Sequence, residues 1–222
     1  MCAARYRAPW WLPGGHAQTI WPAIASRRPP LPPEALSRER WSTPDGDFVD
    51  VDFLAASAAA DAPWLVLFHG LEGSSASHYA QAFAHAAREA GWRFAVPHFR
   101  GCSGELNLAP RAYHSGDHEE VGWILERLRQ RAGAPLYAVG VSLGGNALLR
   151  WAEEAGDSAA ATARVVAAVC SPVDLTASGH AIGRGFNRQV YTRMFLRTMK
   201  PRALAKLAQY PGLFSRERLL AA

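Results

Sequence analysis

The 222-residue sequence has few cysteines, no long apolar run and almost no acid in its last fifth. Its three cysteines, Cys2, Cys102 and Cys170, are an odd number without metal-ligand spacing. That argues against a disulfide framework and fits buried or free thiols in a reducing compartment, so the cytoplasm is the expected location. No stretch reaches the roughly 18 apolar residues of a membrane helix. The start, MCAARYRAPWWLPGG, places arginines and prolines where a secretory signal needs an apolar run. There is no His-Glu-x-x-His, no Gly-x-Gly-x-x-Gly after the first buried strand and no P-loop. A metal site, a dinucleotide and a nucleoside triphosphate are therefore not expected, and the expected cofactor complement is none.

Charge is unevenly spread. Residues 1–179 hold 15 Lys/Arg against 18 Asp/Glu, whereas residues 180–222 hold 9 against 1. Such a basic tail suits nucleic acid or an anionic membrane surface, or a helical face whose acidic partners lie on another segment. Its aromatics do not interleave with its bases as a stacking platform requires, so no nucleic-acid partner is expected. The acid partners on another segment are the preferred explanation. Peripheral membrane contact through the Trp-rich arm or the basic tail is the alternative.

Along the chain, RAPWWLPGGHAQTIWPAI has no clear period and reads as an irregular arm, followed by the extended connector RRPPLPPEALS. FVDVDFLAA alternates apolar and acidic residues, as a half-exposed strand does, and the turn Pro44–Asp47 pairs it with ERWS in a hairpin. From Trp64 the pattern is regular. WLVLFHG, WRFAVPHFRG, APLYAVGVS and ARVVAAVCSPVDL read as strands; ASHYAQAFAHAAREAG, DHEEVGWILERLRQRAG and LGGNALLRWAEEAG read as the helices between them. This alternation predicts an α/β fold, a mostly parallel sheet with helices on both faces. The expected organisation is an arm and connector over 1–40, an α/β core over 41–175 and the start of a helical cap over 176–222.

The chemistry centres on Gly140-Val141-Ser142-Leu143-Gly144, between a strand and a helix. There a serine sits on a strained turn with its oxygen clear of the backbone, and the helix N-terminus favours negative charge beside it. Ser142 is the expected nucleophile, and the Leu143 N–H one expected oxyanion donor. FHGLEGSS offers the second donor, the N–H of Leu71, on a loop turning back over the nucleophile. His69 is read as a structural histidine that fixes this loop, and Arg100 as an arginine that pins its own loop to carbonyls or carboxylates. Cys102 has no histidine partner in any motif.

The ordered set WLVLFHGLEGSS, FRGCSG, GVSLGGNALLRW and CSPVDL resembles the α/β-hydrolase superfamily. With the arm PWWLPGGHAQTIWPAI, it is similar to the YheT-like hydrolases, kin of the eukaryotic α/β-hydrolase-domain lipases. The resemblance implies a serine hydrolase of carboxylic esters with short to medium acyl chains or lipid esters as substrates. In it Ser142 matches the nucleophile, and Leu71 and Leu143 match the oxyanion donors. It also implies a later Asp in an Asp-Asp-Pro context and a final His in a Gly-Gly-His context, and neither motif occurs after Ser142 in this sequence. The expectation is therefore an N-terminal portion of an esterase, with Asp174 and His180 as the only fallback acid and base after Ser142. The competing expectations are acyl transfer from the same serine and a non-catalytic hydrolase-fold protein.

Overall fold

The computed structural model describes residues 7–25, 31–32, 35–54, 58–59 and 61–221. Cys2 and much of the proline-rich connector lie outside them. An antiparallel hairpin, β1 (Leu36–Ser42) and β2 (Phe48–Leu54), opens the sheet. β3 (Trp64–Phe68), α2 (His78–Glu89), β4 (Arg93–Pro97), α3 (His118–Arg131), β5 (Leu136–Val141), α4 (Leu143–Ala155), α5 (Ala159–Thr162) and β6 (Val165–Val169) follow. The strand order is β1-β2-β4-β3-β5-β6. β3 pairs in parallel with β4 and β5, and β5 with β6, while β2 joins β4 antiparallel. The expected parallel sheet flanked by helices is what the chain forms.

Each face of the sheet buries its own apolar set. On one, Phe68, Phe99, Ile124, Leu125, Leu128 and Leu148 join α3 and α4 to the strands. On the other, Ala80, Ala84 and Ala87 of α2 lie against Leu67, Phe94 and Val96. α2 can approach closely because its inner face is alanine. α3 carries Glu119 and Glu120 in its first turn and Arg129 and Arg131 in its last, matching the helix dipole.

Two expectations need correction. β2 is not half-exposed: Phe48 through Phe53 are all buried, Asp50 and Asp52 included. The register sets Arg38 opposite Asp52 and Arg40 opposite Asp50, and each arginine bonds its aspartate through two nitrogens. Asp52 also accepts from Ser75 Oγ at 2.5 Å and lies 2.8 Å from His98 Nε2. Burial opposes its ionisation, but the bonds from Arg38, His98 and Ser75 prevail and hold the carboxyl well below the usual range. The alternation thus marks paired acids, not a wet face. The arm is not irregular throughout, either, since Gly14–Ala25 forms a helix, α1. His16 anchors it to the C-terminal region, with Nδ1 3.0 Å from the Tyr191 hydroxyl and its ring 4.6 Å from that of Phe186.

After β6 the described chain is helical: α6 (Leu175–Ile182), α7 (Gly185–Asn187), a π-turn over Arg188–Thr192, α8 (Arg193–Gln209) and α9 (Arg216–Ala221). α8 is fastened over the core loops. Lys206 Nζ donates to the carbonyls of Asn107 at 2.6 Å and Ala109 at 2.9 Å, and Arg202 pairs with Glu72 at 2.7 Å. One base of the tail therefore has its acid partner on another segment. Among the described residues no helix is long and apolar enough to cross a membrane.

Candidate active site

The C-terminal ends of β3, β5 and β6 lie side by side, and each leads into a strained residue. Three non-glycine residues among those described have positive φ: Glu72 at 57°, Ser142 at 53° and Cys170 at 53°. Such conformations cost of order 1–3 kcal/mol and cluster where function requires them. Here they follow three neighbouring parallel strands.

Ser142, with φ 53° and ψ −119°, links β5 to α4. Its N–H donates to Val169 O at 2.9 Å, which ties the turn to β6. Its carbonyl accepts from the N–H groups of Gly145 and Asn146 at 3.0 and 3.1 Å. The neighbouring glycines are required by space. A Cβ on Gly140 would stand 2.5 Å from Gly144 O, and one on Gly144 would overlap the carbonyl oxygens of Phe68 and His69. The sharp turn is possible only because β5, α4 and the end of β3 touch backbone to backbone.

The loop after β3 closes over the serine. A Cβ on Gly70 would lie 3.2 Å from Ser142 Cβ. Gly70 N–H donates to the Tyr79 hydroxyl at 2.9 Å, and Gly73 N–H closes the turn onto Gly70 O at 2.9 Å. Within the described residues no hydrogen bond uses the N–H of Leu71 or of Leu143. The structure therefore brings Ser142, the Leu71 loop and the Leu143 helix start together.

His69 is fully buried and fixes this loop. Its Nε2 accepts the Phe99 N–H at 3.1 Å, so the proton sits on Nδ1, which donates to Gly70 O at 2.8 Å. Burial pushes its pKa down to about 3. A neutral imidazole with both nitrogens engaged is a structural group. Arg100 is likewise buried and bonds three carboxylates: Asp45 at 2.7 Å, Asp47 at 3.0 Å and Glu120. Cys102 is buried, which pushes its thiol up and leaves it protonated. Asp174 caps α6, accepting the Ala177 N–H at 2.8 Å, and His180 is exposed at the end of the same helix. Among the described residues no hydrogen bond joins Ser142 Oγ to His69, His98, His180 or Asp174.

A mostly apolar cavity of about 300 Å³ begins at Leu71 and runs beneath α8, between Leu106, Pro110, Met199, Ala203 and Phe214. Among the described residues no group of three His, Cys, Asp or Glu is placed to hold a metal ion. Sequence reasoning missed Glu72, Tyr113 and Tyr79, which brace the loop. The only signal for Glu72 is a glutamate in the short segment Gly70-Leu71-Glu72-Gly73.

A parallel sheet with a glycine-packed serine turn on its C-terminal edge defines a class. Residues 63–219 match the family described as alpha/beta hydrolase fold, and the chain belongs to that family. Among curated proteins it is similar to "Putative esterase YheT" of Escherichia coli strain K12. The two are 43% identical over 199 residues, which cover 89% of this chain and 57% of that protein. It is also similar to "Phospholipase ABHD3" of Homo sapiens, 29% identical, covering 66% of this chain and 37% of that one. The chain thus spans well under two thirds of the length of these curated relatives. Among solved structures, the alpha/beta hydrolase GrgF from Penicillium sp. sh18 aligns with a TM-score of 0.53 at 18% identity, over 68% of this chain and 50% of that one. Mouse alpha/beta hydrolase domain-containing protein 10 aligns at 0.51 and 17%, over 71% and 59%. At these identities the likeness shows the fold.

Proposed function

We propose that this chain carries the acylation machinery of a carboxylic-ester hydrolase. Ser142 attacks the ester carbonyl, and the tetrahedral oxyanion is held by the N–H groups of Leu71 and Leu143. The intermediate collapses with loss of the alcohol to leave an acyl-enzyme, and water then releases the acid and frees Ser142. The observation that carries this reading is the left-handed Ser142 turn, packed on glycines and faced by the Gly70 loop. The relatives named esterase and phospholipase support the ester class. The apolar cavity beside Leu71 supports an acyl chain as the part of the substrate taken up there.

General-base catalysis is required for this chemistry, and His69, engaged and neutral, does not supply it. A second reading rests on the absence, among the described residues, of a histidine bonded to Ser142: a hydrolase fold without turnover. One experiment separates the two. The natural protein is treated with a fluorophosphonate probe and assayed on p-nitrophenyl esters. The expected result is labelling at Ser142 and ester hydrolysis, both lost in Ser142→Ala. A wild-type protein that neither labels nor turns over refutes the proposal.

A further inference from the structure

We infer that Glu72 is the positioning residue for the Leu71 N–H, and that Arg202 on α8 is the latch holding Glu72 in place. This rests on the oxyanion role proposed above for Leu71. The turn Gly70–Gly73 is closed by the Gly73 N–H on Gly70 O, and Glu72 is its third residue at φ 57°. That position normally takes Gly or Asn, because other side chains are strained there. A glutamate is a costly choice unless its carboxylate is needed.

The carboxylate is elaborately held. Oε1 accepts the Tyr113 hydroxyl at 2.9 Å and Arg202 Nη1 at 2.7 Å. The Glu72 N–H donates to the same Tyr113 hydroxyl at 2.8 Å. Tyr113 is itself stacked on Phe99, with ring centroids 5.3 Å apart, and the Phe99 N–H bonds His69. Backbone and side chain of Glu72 therefore meet on one hydroxyl, which fixes the peptide that follows Leu71. Oε2 is buried without a partner, so the pair does not maximise stability. Strain, a largely covered carboxylate and an orphan oxygen all fall on the residue next to the proposed donor.

Arg202 lies 130 positions away in the chain, on the helix roofing the cavity. Lys206, one turn further along, seats that helix on the carbonyls of Asn107 and Ala109. With α8 seated, Arg202 holds the carboxylate and the turn is locked. With α8 displaced, Glu72 loses its cationic partner and the strained turn is free to relax, carrying the Leu71 N–H out of line. The cap thus sets the geometry of the oxyanion site as well as the wall of the cavity.

The test uses the natural protein, p-nitrophenyl butyrate and the fluorophosphonate probe. The double variant Glu72→Gln/Arg202→Met removes both charges together and leaves neither unpaired. Glu72→Gly relieves the strained φ while removing the carboxylate. Arg202→Lys keeps the charge. In the first two, kcat should fall about 10- to 100-fold with KM within about twofold, as expected for a donor moved out of line. Melting temperature should stay close to wild type, and Arg202→Lys should retain most of kcat. If Ser142 of the wild type is not labelled, the functional reading falls and this inference with it. If Ser142 is labelled but kcat per folded molecule is unchanged in the variants, or only KM rises, the inference alone is overturned.

Discussion

Replacing Gly144 by alanine tests whether the serine turn depends on backbone contact. An added Cβ would overlap the carbonyl oxygens of Phe68 and His69 and stand 2.7 Å from the Phe68 carbonyl carbon. Ordinary contact begins near 3.5 Å, so one side must yield by about 1 Å. Neither can do so freely. Phe68 ends β3, which is bonded on both sides by β4 and β5, and Gly144 lies in the first turn of α4. Overpacking costs about 1–3 kcal/mol, and the upper end applies because the obstacle is main chain rather than a side-chain tip. Alanine is a better helix former by about 1 kcal/mol, which offsets part of this. The net expectation is a loss of about 2 kcal/mol. In urea, at an m-value of about 2 kcal/mol/M, the midpoint should fall by about 1 M with m unchanged. Gly133→Ala is the control: nothing lies within 4 Å of its added Cβ, and its midpoint should barely move. Equal midpoints for the two variants would refute the packing argument.

His69 gives a pH prediction with a definite sign. Its folded pKa is about 3, against about 6.5 unfolded, because burial disfavours the imidazolium. Between these values the unfolded chain binds the extra proton, so the contribution is complete above pH 6.5 and is lost as pH falls toward 3. An imidazole NMR signal of His69 titrating near pH 6.5 would contradict this, and His69→Gln should flatten stability over that window. Arg100→Met leaves Asp45, Asp47 and Glu120 facing one another without their cation. The expected loss is about 3–5 kcal/mol, a fall in Tm of about 10 °C by calorimetry. A drop of only a degree or two would mean that solvent screens the cluster.

The order of strands and helices was legible because each parallel strand is a short apolar run and α2, α3 and α4 each stop at or just before a glycine. The serine turn was legible because Gly140 is dictated by contact with Gly144 and Gly145 in the same short motif, although the need for Gly144 itself comes from the end of β3. What failed depended on distant partners. The acids of β2 alternate as solvent-facing residues do, and only pairing with β1 and His98 shows that they are neutralised inside. In α1 two glycines, Trp21 and Pro22 obscure the helical period, and the contacts of His16 are with Phe186 and Tyr191. Glu72 stayed invisible because its conformation belongs to the turn, and its partner Arg202 lies on α8. Arg100 was read correctly as a loop pin, since a buried guanidinium has few other fates among so many carboxylates.

The pairing of β3 with β5 has a kinetic consequence. Trp64 lies opposite Leu136 and Phe68 opposite Gly140, so the proposed oxyanion loop and the serine meet only after the whole intervening α-β-α segment has closed. Parallel contacts between such distant segments form slowly, because loop entropy is lost before any contact is gained. Ser142 therefore acquires its environment late, when the centre of the sheet is in register. During refolding, the proposed reactivity of Ser142 toward a serine-directed probe should appear with the final phase rather than with helix formation, making this side chain a clock for completion of the sheet.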